Sequence, residues 1–351
     1  MMTENAVPET SEQKIKCVVW DLDNTLWHGV LLEDDQISLR DGVTNIIKTL
    51  DNRGILQSIA SKNEHSHALA QLEAFALSDY FLYPQINWNS KAQSLETIAQ
   101  KINIGIDTLA LIDDQAFERE EVNFSLPNVL CIDAADINNV LDLPAMKPRF
   151  ITEDSKKRRQ MYLSDIARER IEEDFVGPKE EFMSTLNMVF TISTAQEEDL
   201  KRAEELTVRT NQLNTTGYTY SYEELSHFCQ SDRHLLLIAE LDDKYGTYGK
   251  IGVTLVECDD DMWTIKLLLM SCRVMSRGVG TVMINYLRNE ARKNGVRLQA
   301  ELIPNDRNRM MYMTYKFAHF KEKKKINDLL ILENDLNQVQ KFPEYLTIKL
   351  A

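Results

Sequence analysis

The stretch VVWDLDNTLWHGV, Val18–Val30, sets two aspartates, Asp21 and Asp23, one residue apart directly behind a short apolar run. A run of this length reads as a strand buried on both faces, as in a sheet covered by helices. In open α/β sheets ligands gather beyond the carboxyl ends of the strands. Asp21 and Asp23 fall where such a strand runs out, so the stretch predicts both the fold and the position of a site.

Working outward, strand-like runs KCVVWDLD, GILQSIASK, YFLYPQI, TLALIDD and NVLCID alternate with the helical patterns VTNIIKTLDNR, EHSHALAQLEAF and KAQSLETIAQKI between residue 15 and about residue 145. The alternation implies βα units and a mostly parallel sheet with helices on both faces. Residues 146–185 are highly charged, with apolar residues at helical intervals, and read as a helical connector; KKRR, Lys156–Arg159, reads as a solvated helix face. A second αβ pattern follows. MVFTIST, HLLLIAELDD, KIGVTLVECDD and WTIKLLLMSCRV read as strands, followed by the helical GTVMINYLRNEARKNG, the strand VRLQAELI, the helical NRMMYMTYKF and a last strand near EYLTIKL. Hairpin-joined strands followed by a helix predict a mixed or antiparallel sheet. The expected organisation is α/β throughout: a disordered tail over 1–14, a first domain over 15–145, a helical linker over 146–185 and a second domain over 186–351.

The 351 residues suffice for two domains with separate cores. A content of 43% hydrophobic and 27% charged residues is that of a soluble globular protein, and a formal net charge of -15 argues against nucleic acid or an acidic membrane as partner. Neither a cationic start followed by an apolar core nor an apolar run of about 20 residues is present, and a cytoplasmic location is expected. The cysteines at 17, 131, 229, 258 and 272 show no paired ligand spacing, which disfavours structural zinc.

Four separated segments carry polar residues just after apolar runs: Asp21 and Asp23 in DLDNT, Ser61 and Asn63 in ASKN, Lys91 in NSK, and Asp113 with Asp114 in LIDDQ. Any one alone reads as a helix cap or turn residue. Together they converge at one sheet edge, where several carboxylates need a positive charge between them. Mg2+ suits that role, since it takes one or two carboxylates with waters and phosphate oxygens. Asp21, Asp23, Asp113 and Asp114 are then the candidate metal ligands. Asp21 is the candidate nucleophile on phosphorus and Asp23 the acid/base, with Ser61, Asn63 and Lys91 holding the phosphoryl group.

DLDNT, Ser61, Lys91 and the IDD at 112–114 resemble, in order, the four motifs of the haloacid dehalogenase superfamily of phosphatases and phosphotransferases. The resemblance implies a Rossmann-like αβα domain in which Asp21 is the nucleophile, Asp23 the acid/base and Asp113 a magnesium ligand. Little room remains before Ser61 for a large cap, so the site should admit a bulky or protein-borne substrate. Across nearly the whole chain, DLDNTLWHGVLLEDD, IASKNE, IDDQAFEREEV, the helical element Arg159–Tyr162, RAEELTVRTNQLN and LLLMSCRVMSRGVG resemble the FkbH-like proteins of polyketide pathways. That likeness implies capture of the three-carbon unit of 1,3-bisphosphoglycerate, removal of phosphate, and delivery of a glyceryl thioester to the phosphopantetheine arm of an acyl carrier protein. Departures are His28, where a small residue is common, and Gln115–Ala116 in place of Asn-Pro.

In the second half, LLLMSCRVMSRGVGTVMINYL reads as a strand, a basic glycine-bearing turn and a helix, with Arg273, Arg277, Gly278 and Gly280 placed to suit a pyrophosphate or pantetheine phosphate. It resembles the acyl-coenzyme A loop of the GNAT acyltransferase fold, although Met275 stands where a cation belongs. Cys272, beside Arg273 and ahead of a helix start, is the candidate carrier of the acyl group as a thioester; a packed strand cysteine is the alternative. Asn211 and Gln212 are candidate acyl-site residues. Three functions remain: the two-site glyceryl transferase, a phosphatase with a C-terminal recognition domain, and an acetyl-coenzyme A-dependent acyltransferase.

Overall fold

The structure, a computed structural model, describes residues 14–34, 36–210, 213–306 and 308–351. The chain divides into two compact units, Met1–Leu163 and Ser164–Ala351. The division falls inside the segment expected to link them. The tail expected over 1–14 lies almost wholly outside the described residues.

In the first unit β1 (Cys17–Trp20), β2 (Leu56–Ser61), β3 (Gln85–Ile86), β4 (Leu109–Asp113) and β5 (Leu130–Asp133) form a sheet of order β3-β2-β1-β4-β5. Every pairing is parallel. Cys17–Trp20 is fully buried because β1 is the central strand, flanked on both edges. Trp20 pairs with Ile59 on one side and Ile112 on the other, and Asp21 N donates to Ile112 O at 2.9 Å. This register carries the ends of β1, β2 and β4 to one level. The helices α1 (Val43–Asn52), α2 (His65–Ala74) and α3 (Lys91–Ile102) stand where the helical patterns predicted, and a further helix, α4 (Ala116–Ser125), which those patterns did not include, lies between β4 and β5.

Two expectations for this unit change. YFLYPQI is a strand only at Gln85–Ile86: Tyr83 has a left-handed backbone, φ 49°, and Pro84 has no N–H to give a ladder. The KKRR face is solvated only at Lys156 and Lys157. Arg158 is buried and donates to Gly54 O at 2.6 Å, while Arg159 pairs with Asp51 at 2.9 Å and lies over the Tyr80 ring. Gly54 sits at φ +71°, and a Cβ there would come within 2.8 Å of Ser155 O, so this turn requires glycine.

The second unit holds most of α5 (Arg158–Asp174), then α6 (Lys179–Thr185), β6 (Met188–Thr194), α7 (Leu200–Arg209), α8 (Tyr222–Cys229), β7 (His234–Asp243), β8 (Gly246–Cys258), β9 (Met262–Met270), α9 (Val279–Lys293), β10 (Arg297–Leu302), α10 (Arg309–Phe317), β11 (Phe320–Ile326), β12 (Leu329–Asn334) and β13 (Leu346–Leu350). The sheet runs β11-β12-β10-β9-β8-β7-β6-β13. It is mixed: β9–β10 and β6–β13 are parallel and the other pairs antiparallel. Alternate residues of one strand enter different cores, as the period of two requires. Leu236 and Ile238 pack with Leu200, Ala203 and Leu206 of α7, whereas Leu237 and Ala239 join Val282, Met283 and Leu287 of α9. Both sheet faces are therefore covered. Among the described residues no helix is long and apolar enough to cross a membrane.

Candidate active site

Asp21, Ser61 and Asp113 each stand at or just past the end of a buried strand, and Lys91 opens α3 behind its N-cap Ser90. All four side chains are at least nine-tenths buried. Lys91 Nζ bonds Asp21 Oδ1 at 2.6 Å and also pairs with Asp113. A helix start disfavours a cation, so these two carboxylates are what hold the ammonium there. Oxygens of Asp21, Asp113 and Asp114 lie within 4.8 Å of one another. Asp114 is tied to the first loop through Thr25: its N–H donates to Thr25 Oγ1 at 3.0 Å, and that hydroxyl donates to Asp114 Oδ1 at 3.3 Å.

Asp23 does not join this cluster of three. Its carboxylate accepts from Trp27 Nε1 at 2.8 Å, Leu31 N at 3.1 Å and Asn63 Nδ2 at 2.9 Å. These donors fix its orientation over the same cavity, of about 310 Å3, which Asp21, Ser61, Asn63 and Lys91 also line. Asn63 thus positions Asp23 rather than standing alone as a phosphate ligand. Thr25 and Trp27, to which the sequence motif alone gives no role, orient Asp114 and Asp23 through these contacts.

Burial pushes Asp21 up to about 6; the neighbouring Asp113 adds to the rise and Lys91 opposes it. Asp114 is raised by its burial and by Asp113. For Lys91, burial acts downward but is outweighed by Asp21 and Asp113, so the ammonium is held more firmly than usual. A cluster of buried carboxylates already drawing an ammonium between them, with only oxygen donors, fits a hard divalent cation. Asp21, Asp113 and Asp114 would hold it. Burial favours the protonated form of Asp21 below about 6, so a divalent cation held there would compete with that proton. Mg2+ affinity is expected to rise with pH through that value, with proton release measurable by titration calorimetry in buffers of different ionisation enthalpy. A pH-independent affinity would contradict this.

In the second unit, β9 ends at Met270, and Cys272–Arg277 forms a short 3-10 turn where a continuing strand was expected. Ser271 N, bonded to Ile251 O at 2.6 Å, ends the ladder. Arg273 Nη2 donates to Tyr248 O at 2.6 Å and its Nη1 lies 3.7 Å from Asp165. Arg277 is buried and paired with Glu172 at 2.9 Å. The two guanidinium groups expected to receive a pantetheine phosphate are thus engaged with acidic and carbonyl groups of their own unit, because Asp165 and Glu172 project from α5. Gly278 has φ +76°, and a Cβ there would meet Tyr345 Oη at 2.8 Å, whereas Gly280 is uncrowded. Cys272, half-buried, opens the turn. Asn211 and Gln212 lie outside the described residues. Asn308 is fully buried and donates to Asn214 O, Thr215 O and Ile303 O, tying the 214–215 segment to the end of β10.

No protein-family model matches the sequence. A comparison with curated proteins finds no match. Among solved structures, the chain is similar to the N-terminal part of the protein BF1531 from Bacteroides fragilis, which contains a phosphatase domain complexed with Mg, at 31% identity and TM-score 0.34 over 37% of this chain. The chain spans 40% of the length of that structure. It is also similar to the ribosomal-protein-S18-alanine N-acetyltransferase of Escherichia coli, at 17% identity and TM-score 0.35, over 43% of this chain and 97% of that one. A third likeness is to the PaiA N-acetyltransferase of Thermoplasma acidophilum in complex with coenzyme A, at 17% identity and TM-score 0.34, over 41% of this chain and 98% of that one.

Proposed function

We infer that the first unit is a Mg2+-dependent phosphatase of the haloacid dehalogenase type, and that the whole chain is an FkbH-like glyceryl transferase. The observation that carries the phosphatase reading is the meeting of Asp21, Lys91, Asp113 and Asp114 at one strand-end rim. An Asp21 oxygen attacks phosphorus, and the bond from phosphorus to the leaving oxygen breaks as Asp23 gives that oxygen a proton. Asp23 then takes a proton from water, which attacks the aspartyl-phosphate, releases inorganic phosphate and restores Asp21. Lys91 and the Ser61 hydroxyl, both beside Asp21, stabilise charge on the transferring group. Bound Mg2+ supplies further neutralisation of phosphoryl oxygens.

For the second unit, the Cys272 thiolate attacks the acyl carbon of 1,3-bisphosphoglycerate. The carbon–oxygen bond to the acyl phosphate breaks, phosphate leaves, and a 3-phosphoglyceryl thioester forms; the first unit hydrolyses its remaining phosphate monoester, and the carrier-protein thiol takes over the acyl group. Incubation with 1,3-bisphosphoglycerate, Mg2+ and a holo acyl carrier protein is expected to add a glyceryl mass to the carrier. Cys272→Ala should lower loading at least about 100-fold, read by intact-protein mass spectrometry. Full loading by that variant would end the thioester role. The ion pairs of Arg273 and Arg277 favour a second reading, a phosphatase whose other unit recognises substrate. Phosphate release without carrier loading would select it, and acetyl transfer from acetyl-coenzyme A would select an acyltransferase.

A further inference from the structure

The cavity over Asp21 is lined by four carboxylates, Asp21, Asp23, Glu33 and Glu118, and by two ammonium groups, Lys62 and Lys91. Neither ammonium is available to a second anion. Lys91 is held between Asp21 and Asp113 and is the group that meets the phosphoryl end. Lys62 bonds Glu118 Oε1 at 2.7 Å. Glu118 is itself buried and its charge matches that of Lys62, so the pair gives the cavity no surplus of positive charge while Glu118 keeps Lys62 engaged. Glu33 is exposed at the mouth.

The rest of the mouth is neutral or apolar. Trp88 is 70% exposed and Leu32 52% exposed, and both line the cavity. Their loops are fastened to the site: Asn87 N donates to Ser61 O at 3.1 Å, and Leu31 N donates to Asp23. Apolar surface is therefore presented where the leaving group emerges, and carboxylates are presented on the way to it.

Resting on the phosphatase reading, we propose that this site takes phosphate monoesters whose leaving group carries no negative charge of its own, and that Glu118 and Glu33 enforce the selection. A carboxylate on the leaving group would face like charges with no cation to meet it. A hydroxyl, amide, ester or thioester in its place would not.

The test uses the full chain with Mg2+ and three probes: glycerol 3-phosphate, 3-phosphoglycerate and p-nitrophenyl phosphate. Glycerol 3-phosphate is expected to exceed 3-phosphoglycerate in kcat/KM by at least about tenfold. Glu33→Gln, at an exposed position, and Glu118→Gln, which frees Lys62, should each narrow that ratio several-fold at low salt. Binding of the two physiological-type esters to Asp21→Asn, measured by calorimetry, should show the same preference without turnover. Equal constants for the two esters, or variants that slow both esters alike, would overturn the proposal while Asp21-dependent release of p-nitrophenol upholds the phosphatase reading. Absence of Asp21-dependent hydrolysis of all three probes would remove both.

Discussion

Asp21→Asn is expected to cut phosphate release by roughly 10^4-fold while stabilising the Mg2+-free protein. Asparagine matches the shape of aspartate but lacks the carboxylate nucleophile, so the aspartyl-phosphate of the proposed mechanism could not form. The stability effect follows from the direction of the Asp21 shift. Its acid is raised from 3.8 to about 6 by burial at the centre of the sheet and by Asp113, against the pull of Lys91. A group whose folded value lies above its unfolded one contributes stability below the unfolded value, and that contribution is lost as pH rises through about 6. At neutral pH the ionised Asp21 is thus a cost of about 1–3 kcal/mol, and the amide removes it. Thermal melts without Mg2+ should place the variant furthest above the parent at pH 7, by about half as much at pH 5, and close to it only below the unfolded value of 3.8. A variant that melts well below the parent at neutral pH would mean that Lys91 depends on Asp21 more than Asp21 suffers from burial.

The second large effect is structural and lies in the other unit. Arg168 and Asp243 both have fully buried side chains, joined by bonds from Nε at 2.7 Å and Nη2 at 2.8 Å. The guanidinium also donates to Asp165 at 2.8 Å and to Gly246 O at 3.0 Å, and lies 4.0 Å from the Tyr248 ring centroid. Asp243 in turn accepts from Tyr245 N and Tyr248 Oη. Truncating one partner strands the other in a dry interior. Asp243→Ala is expected to cost about 3–5 kcal/mol, measured by urea unfolding, whereas replacing both partners with apolar residues of similar volume should recover most of it. A loss under about 1 kcal/mol for Asp243→Ala would show that water or Asp165 compensates the guanidinium.

The first unit was legible because its signals are local and repeated. Each buried strand ends in the polar residue that lines the rim, and the period change from strand to helix marks the elements between. What sequence missed there depends on register. Nothing in DLDNT says that Thr25 reaches Asp114, 89 positions on, or that Trp27 turns its N–H onto Asp23. In the second unit the hairpin of β11 and β12 was overlooked. FKEKKKI is buried at Phe320 alone and has exposed lysines on both faces, so it shows no alternation, as befits an edge strand protected by charge. Arg273 and Arg277 misled for a related reason. A basic turn ahead of a helix looks like an anion site until α5, more than 100 residues earlier, is seen to supply Asp165 and Glu172 as their partners.

Among the described residues between β1 and β2 the chain forms the short ribbon Trp27–His28 with Ser38–Leu39 and the helix α1. These short elements build no separate cap domain, and on the proposed phosphatase reading the body of the substrate is expected to complete the exclusion of water from the cavity. Turnover is then graded by how much of the mouth the substrate plugs: fragments trimmed to the phosphate end should lose kcat as well as affinity, and a slow rate on a small chromogenic ester measures the missing plug rather than a weak nucleophile.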